Sequence, residues 1–212
     1  GFAPASRLRG AADVEGLHHL HEAAARGQGV LLLTGHLMHS ELAARFLVEA
    51  GSGAISSVVR RYDRHPCFEA LLDDARRGRL GPTYGKFDTR GMARCLREGA
   101  RLAYLADQDF RSQHVFVPFF GVPAATLATV PQLARAGRAC VRFFAMARGA
   151  DGRYRVRVID PGLDALLDDP PAFAARYLQV LEDAVRAAPD QYLWVHRRFK
   201  TRPGGEASPY AR

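Results

Sequence analysis

Nowhere does the chain contain about 18 consecutive apolar residues, so no segment of it is expected to cross a membrane as a helix. Its first ten residues carry Pro4, Arg7, Arg9 and Gly10, which is not the basic-then-apolar pattern of a signal peptide. Cysteine is scarce. Cys67, Cys95 and Cys140 are widely spaced, odd in number and without Cys-x-x-Cys, which argues against a disulfide framework and fits small core residues in a reducing compartment. Metal-ligand spacing is missing too: His18, His19 and His21 have no separated second pair, and His36 with His39 is not the His-Glu-x-x-His of helical zinc sites. No metal is expected. With no zinc-finger spacing, RNP-like aromatic motif or basic arm, nucleic acid is not the expected partner. There is no internal repeat or low-complexity tract, and 212 residues fit one domain over 1–212 with a sizeable core.

What is present begins with charge. A formal net charge of +8 beside eight histidines makes the chain basic, yet its arginines are dispersed. That suits a domain meeting an anionic membrane surface, a phosphorylated substrate or an acidic protein.

The stretch 29–48 reads as a buried strand, a glycine turn and an amphipathic helix. Val30 to Leu33 are continuously apolar, while Leu42, Phe46 and Leu47 recur at helical spacing with Ala43 and Ala50. His36 then sits where a strand ends and a helix begins, the crevice in which open α/β sheets bind ligands. His36 and Glu41 would lie roughly 140° apart on one continuous helix, so they can meet only across the turn. Paired there, the carboxylate would fix the imidazole tautomer and leave the other nitrogen as a base. Taken alone, the same residues also read as an ordinary turn histidine and a carboxylate favourable to the helix dipole.

Further on, 54–59 reads as a second buried strand delivering Arg60 and Arg61, a pair that suits phosphate or carboxylate as well as a solvated strand end. Pro66 starts a helix to about residue 77 with Phe68, Leu71 and Leu72 as its apolar face, and Arg76, Arg77 and Arg79 leave it in a basic loop. Asp88 and Thr89 can cap a helix over 90–98, and 102–106 is a third strand ending in Asp107-Gln108-Asp109. Residues 115–123 are apolar and aromatic, with prolines that interrupt a regular strand; they read as core or as the wall of an apolar pocket. A helix is expected over 11–26, another from 124–126 to 135, an antiparallel hairpin over 139–159, and a long helix over 170–187. The fold class is α/β, a central, mostly parallel mixed sheet flanked by helices.

Three separated segments resemble the bacterial lipid A biosynthesis acyltransferases, within the lysophospholipid acyltransferase superfamily. Gly35-His36-Leu37-Met38-His39-Ser40-Glu41 is similar to the superfamily's His-x4-Asp/Glu signature. Ala106-Asp107-Gln108-Asp109 with Phe116-Val117-Pro118-Phe119-Phe120-Gly121 resembles its second block, and residues 188–203, containing Gln191-Tyr192-Leu193-Trp194-Val195-His196-Arg197-Arg198, its C-terminal block. The resemblance implies a glycerol-3-phosphate-acyltransferase-like fold and transfer of a fatty acyl chain from acyl carrier protein to a hydroxyl of a phosphorylated lipid A precursor. No cofactor is implied. It further implies His36 as general base, Glu41 as its orienting carboxylate, and Arg76 and Asp107 as functional positions. Arg60, Arg61, Arg76, Asp107 and Asp109 are the candidate substrate-binding residues, and Phe116, Phe119 and Phe120 the candidate acyl-pocket residues. Work at the cytoplasmic face of the bacterial inner membrane is implied as well, with the family's anchoring helix expected to be absent from this chain, since only 35 residues precede His36. Two other readings remain at this level: a different glycolipid or aminolipid acceptor, and a non-catalytic module binding anionic lipid or nucleic acid.

Overall fold

The computed structural model describes residues 5–8, 10–59, 65–76 and 78–210. In chain order its elements are α1 (Ala5–Leu8), β1 (Ala12–Glu15), α2 (His18–Ala25), β2 (Val30–Thr34), α3 (Ser40–Leu47, continued by a π-helical turn, Val48–Ser52), β3 (Ile55–Val59), α4 (Pro66–Arg76), β4 (Thr83–Gly85) and α5 (Thr89–Arg97). There follow β5 (Arg101–Leu105), β6 (His114–Phe119), β7 (Val122–Leu127), α6 (Val130–Gly137), β8 (Cys140–Arg148), β9 (Tyr154–Ile159) and α7 (Pro170–Ala187).

Seven strands form one sheet in the order β1-β9-β8-β2-β5-β3-β4. Strands β8, β2, β5, β3 and β4 are parallel; β9 turns back antiparallel to β8, and β1 joins it at the edge. This is the expected mixed sheet, and the hairpin over 139–159 is β8 and β9. Every residue of β2 is buried. Leu31 and Leu33 pack with residues of α5, α6 and α7, including Leu96, Ala134, Leu178 and Leu181, while Val30 and Leu32 pack with Leu20 of α2 and Phe46 and Leu47 of α3. A strand covered on both faces needs an unbroken apolar run, and that is why 30–33 has one. Asp88 and Asp169 cap α5 and α7 by accepting from Gly91 N at 2.9 Å and Ala172 N at 3.0 Å.

Several local expectations are corrected. Within the helix expected over 11–26, residues Ala12–Glu15 are instead strand β1, which pairs in register with β9 from Ala12 opposite Tyr154 to Glu15 opposite Arg157, and the helix begins only at His18. Residues 115–123 are not interrupted by their prolines: β6 and β7 form a two-stranded antiparallel ribbon, with Pro118 directly opposite Pro123. Each strand of a two-stranded ribbon has an open edge, and a proline whose missing N–H faces that edge costs no ladder bond. Consequently 124–126 belongs to β7 and the helix starts at Val130. The expected apolar face of α4 is open, with Phe68 and Leu71 about half exposed, and Cys67 on the same helix is exposed while Cys95 and Cys140 are buried. Among the described residues no helix is long and apolar enough to cross a membrane.

Candidate active site

Strands β2 and β5 are hydrogen-bonded neighbours that end side by side, Thr34 opposite Leu105. The two turns that follow therefore meet. His36 N donates to Asp107 Oδ2 at 2.7 Å, and His36 Nδ1 lies 2.6 Å from Asp107 Oδ1, so one carboxylate holds both the backbone and the ring of the histidine. Tyr192 adds a third bond, its hydroxyl donating to Asp107 Oδ2 at 3.1 Å. The Asp107 side chain is 2% exposed and the imidazole 28%, so the carboxylate is sealed and the ring open to a ligand.

Burial alone would raise the Asp107 carboxyl pKa, but the bonds from His36 and Tyr192 outweigh it and hold the group below the usual carboxylate range. An ionised carboxylate only accepts, so Nδ1 carries a proton, and in the neutral ring Nε2 is then the nitrogen with the lone pair. Gln108 fits that assignment: its Nε2 amide lies 3.2 Å from His36 Nε2 as a donor. Burial and the adjacent Asp107 charge raise the Tyr192 hydroxyl far above its ordinary pKa, keeping it a donor.

The histidine turn is clasped from the far end of the chain. Met38 N donates to Gln191 O at 2.6 Å, Leu193 N donates to His36 O at 3.1 Å, and Leu37 bridges Tyr192. Beneath it, Tyr177 of α7 donates its hydroxyl to Thr34 O at 2.8 Å. Gly35 has no room for a side chain, because a Cβ there would stand 2.4 Å from Leu181 Cδ1 and 3.1 Å from Asp107 Oδ2.

The carboxylate expected on His36 is elsewhere. His39, with φ 67°, turns the backbone left-handed just before α3, and Glu41 faces Arg76 at the end of α4 instead of the imidazole. Arg76 donates to Glu41 Oε1 from Nε at 3.0 Å and from Nη2 as well. Its guanidinium, a candidate for substrate binding, thus has a counter-ion within the protein. Arg60 and Arg61 lie outside the described residues.

Asp109 is not presented to a ligand. Its side chain is 0% exposed, and it accepts from Thr201 N at 3.0 Å and Thr201 Oγ1 at 2.9 Å. It ties the C-terminal segment to the β5 exit, as does the bond from Asp109 N to His196 Nε2 at 2.9 Å. Buried Arg198 extends this anchorage, donating to Ala125 O and Thr126 Oγ1, both at 2.7 Å, and lying over the Phe119 ring.

Of the three candidate pocket residues, Phe119 is a core side chain, fully buried against Tyr192 and Phe199. Phe116 is exposed on the ribbon beside His114. Phe120 occupies the tight turn between β6 and β7 with φ 49°, packed on Trp194 and under Arg186. The wider apolar spaces lie elsewhere. One, of about 1020 Å³, runs between α7 and the β8–β9 face beside Met38 and His39; another, of about 800 Å³, runs between α5 and α6 beside Tyr104 and Phe110.

Sequence reading missed Gln108, Tyr177, Tyr192 and His196 as members of the site. Gln108 had a usable signal, since it stands at a strand end between two aspartates; the others come from segments too distant for any local pattern to join.

This geometry accompanies clear relationships to known proteins. The family described as bacterial lipid A biosynthesis acyltransferase matches residues 1–201. The chain is similar to the lipid A biosynthesis lauroyltransferase of Escherichia coli strain K12, 35% identical over 214 residues that cover 99% of this chain and 68% of the relative. It is likewise 35% identical to the lipid A biosynthesis palmitoleoyltransferase of the same strain, over 216 residues and the same shares of both chains. A lipid A biosynthesis acyltransferase of Haemophilus influenzae shares 35% identity over 204 residues, 93% of this chain and 63% of its own. The chain therefore belongs to the bacterial lipid A biosynthesis acyltransferase family, and the protein is an acyltransferase.

Proposed function

We propose that this acyltransferase moves a fatty acyl chain from an acyl carrier protein thioester to a hydroxyl of a phosphorylated lipid A precursor, with His36 as general base. The observation that carries this reading is the hydrogen-bonded chain from Asp107 through His36 to Gln108, which leaves a basic nitrogen at an accessible strand end. The relatives, whose names specify lauroyl and palmitoleoyl transfer in lipid A biosynthesis, support the acyl group and the acceptor class.

In the proposed step the acceptor hydroxyl takes the place of the Gln108 amide at His36 Nε2. As its oxygen bonds to the thioester carbonyl carbon, the proton passes to Nε2, and Asp107 stabilises the imidazolium that forms. Negative charge builds on the former carbonyl oxygen. Backbone N–H groups in the first turn of α3, which have no partner within the helix, are suited to receive it. Collapse breaks the C–S bond, and the imidazolium returns its proton to the departing sulfur. A thioester is already activated, so this chemistry requires no cofactor. Glu41 takes the part of a positioning residue: by holding Arg76 it fixes α3 against α4. The work is proposed to take place at the cytoplasmic face of the inner membrane, where such an acceptor meets a soluble donor.

The test is turnover of lauroyl-acyl carrier protein with a lipid A precursor, followed by product mass. A gain of one acyl chain that is lost in His36→Ala, with folding retained by circular dichroism, supports the proposal. Transfer to another glycolipid or aminolipid but not to this acceptor overturns the acceptor; full activity in His36→Ala overturns the base.

A further inference from the structure

Resting on that donor assignment, we propose that α5 and the turn before it form the docking surface for an acidic protein, the carrier that presents the thioester. Arg90, Arg94 and Arg97 recur at positions i, i+4 and i+7 and are all exposed, while Met92, Ala93, Cys95 and Leu96 face inward. They form one straight ridge about 10 Å long at 1.5 Å per residue. Lys86 precedes it, and Phe87 between them is 84% exposed.

These cations lack counter-ions. Among the described residues neither Arg90 nor Arg94 has a hydrogen bond or ion pair, Arg97 reaches only Ala136 O, and Lys86 lies over the Phe87 ring. Of the carboxylates beside them in sequence, Asp88 is committed to capping the helix, and Glu98, four residues beyond Arg94, makes no ion pair among the described residues. The other arginine-rich surface differs on this point: Arg153 pairs with Asp13, Arg155 with Asp151 and Arg157 with Glu15. Uncompensated charge on α5 is what an acidic partner would neutralise.

Apolar surface adjoins the ridge in recessed form, as the 800 Å³ groove floored by Met92, Tyr104, Leu127, Val130 and Leu133. A protein side chain can enter such a recess beneath a rim of arginines, whereas a bilayer surface cannot, and an apolar centre within a charged rim is the usual anatomy of a protein interface. Position fits delivery to His36. The turn 86–88 follows β4 at the carboxyl edge of the sheet, two strands from β5 and hence about 10 Å across from the Asp107 exit at the usual strand spacing.

The experiment compares two donors of one acyl chain, lauroyl-acyl carrier protein and lauroyl-pantetheine, in wild type, Arg90→Glu/Arg94→Glu, the milder Arg90→Gln/Arg94→Gln, and Arg153→Glu/Arg157→Glu as control. In the Glu variant KM for the carrier-bound donor is expected to rise about 30-fold with kcat retained, and in the Gln variant about 5-fold, while pantetheine kinetics stay within about 2-fold. The Gln variant carries the comparison if the Glu variant melts early. Unchanged KM in the α5 variants overturns the docking surface, as does equal loss with both donors, an equal rise in the control, or loss of binding only to phosphatidylglycerol vesicles. If wild type turns over lauroyl-pantetheine but not the carrier-bound donor, the donor assignment and the docking surface fall together; wild-type use of the carrier with insensitive variants removes the docking surface alone.

Discussion

In the step proposed above, one proton position on His36 decides the chemistry, and Asp107, 71 residues away in sequence, accepts from that ring at 2.6 Å. Removing the Tyr192 hydroxyl takes away one of the three bonds to that carboxylate; we expect Tyr192→Phe to lose about 1 kcal/mol in a urea melt and a few-fold in kcat, a residual cost that steady-state assays will resolve. His196 gives a pH dependence. Burial, aided by Arg198, His36 and Lys200 against the opposing charge of Asp107, lowers its pKa below the ordinary histidine value, and its Nε2 must stay unprotonated to accept from Asp109 N. The unfolded chain thus takes up the proton first as pH falls. Stability held above about pH 6.5, the unfolded value, is lost as pH drops through the lower folded value. His196→Gln, which keeps an acceptor without the titration, is expected to flatten the fall in Tm between pH 7 and pH 5. The place of His36 at a strand end could be read from the sequence. Its partner could not, because periodicity reports what is near in sequence, and Glu41 was near in sequence yet faces Arg76.

Helices and strands constrain the site through how closely they approach. Helix α7 crosses beneath the β2 exit so tightly that only glycine fits at position 35. Gly35→Ala is expected to destabilise by about 1–3 kcal/mol, the usual cost of overpacking, and to displace Asp107; Leu181→Ala in the same chain should recover part of the activity by vacating the nearest atom. Strands β2, β3 and β5 and helix α7 were legible, since their apolar runs and helical spacing each match one period, although β3 is only partly buried, open from Ser57 to Val59. Strand β1 was not: four residues of alternating exposure leading into a helix read as its first turn. Nor was the β6–β7 ribbon, whose prolines would argue against a central strand and mean little at an edge.

Across the whole molecule, the C-terminal segment is bound to the exits of β2 and β5 and to β7, so the site is assembled from segments that lie far apart in sequence. Arg198 is the deepest of these ties. Arg198→Met would strand Ala125 O and Thr126 Oγ1 without donors and is expected to cost about 2–3 kcal/mol in chemical denaturation. Trp194, the single tryptophan, packs 5.0 Å from the Tyr192 ring and so reports on the same segment. Its fluorescence transition is expected to coincide with loss of the circular dichroism signal; an earlier fluorescence transition would show that the segment detaches by itself. Asp107 and not Glu41 is the carboxylate on His36, and kcat for Asp107→Asn beside Glu41→Gln measures most directly which of them serves it. We predict a loss of about 10²–10⁴-fold for Asp107→Asn and less than about 10-fold for Glu41→Gln, both folded; the reverse order would contradict it.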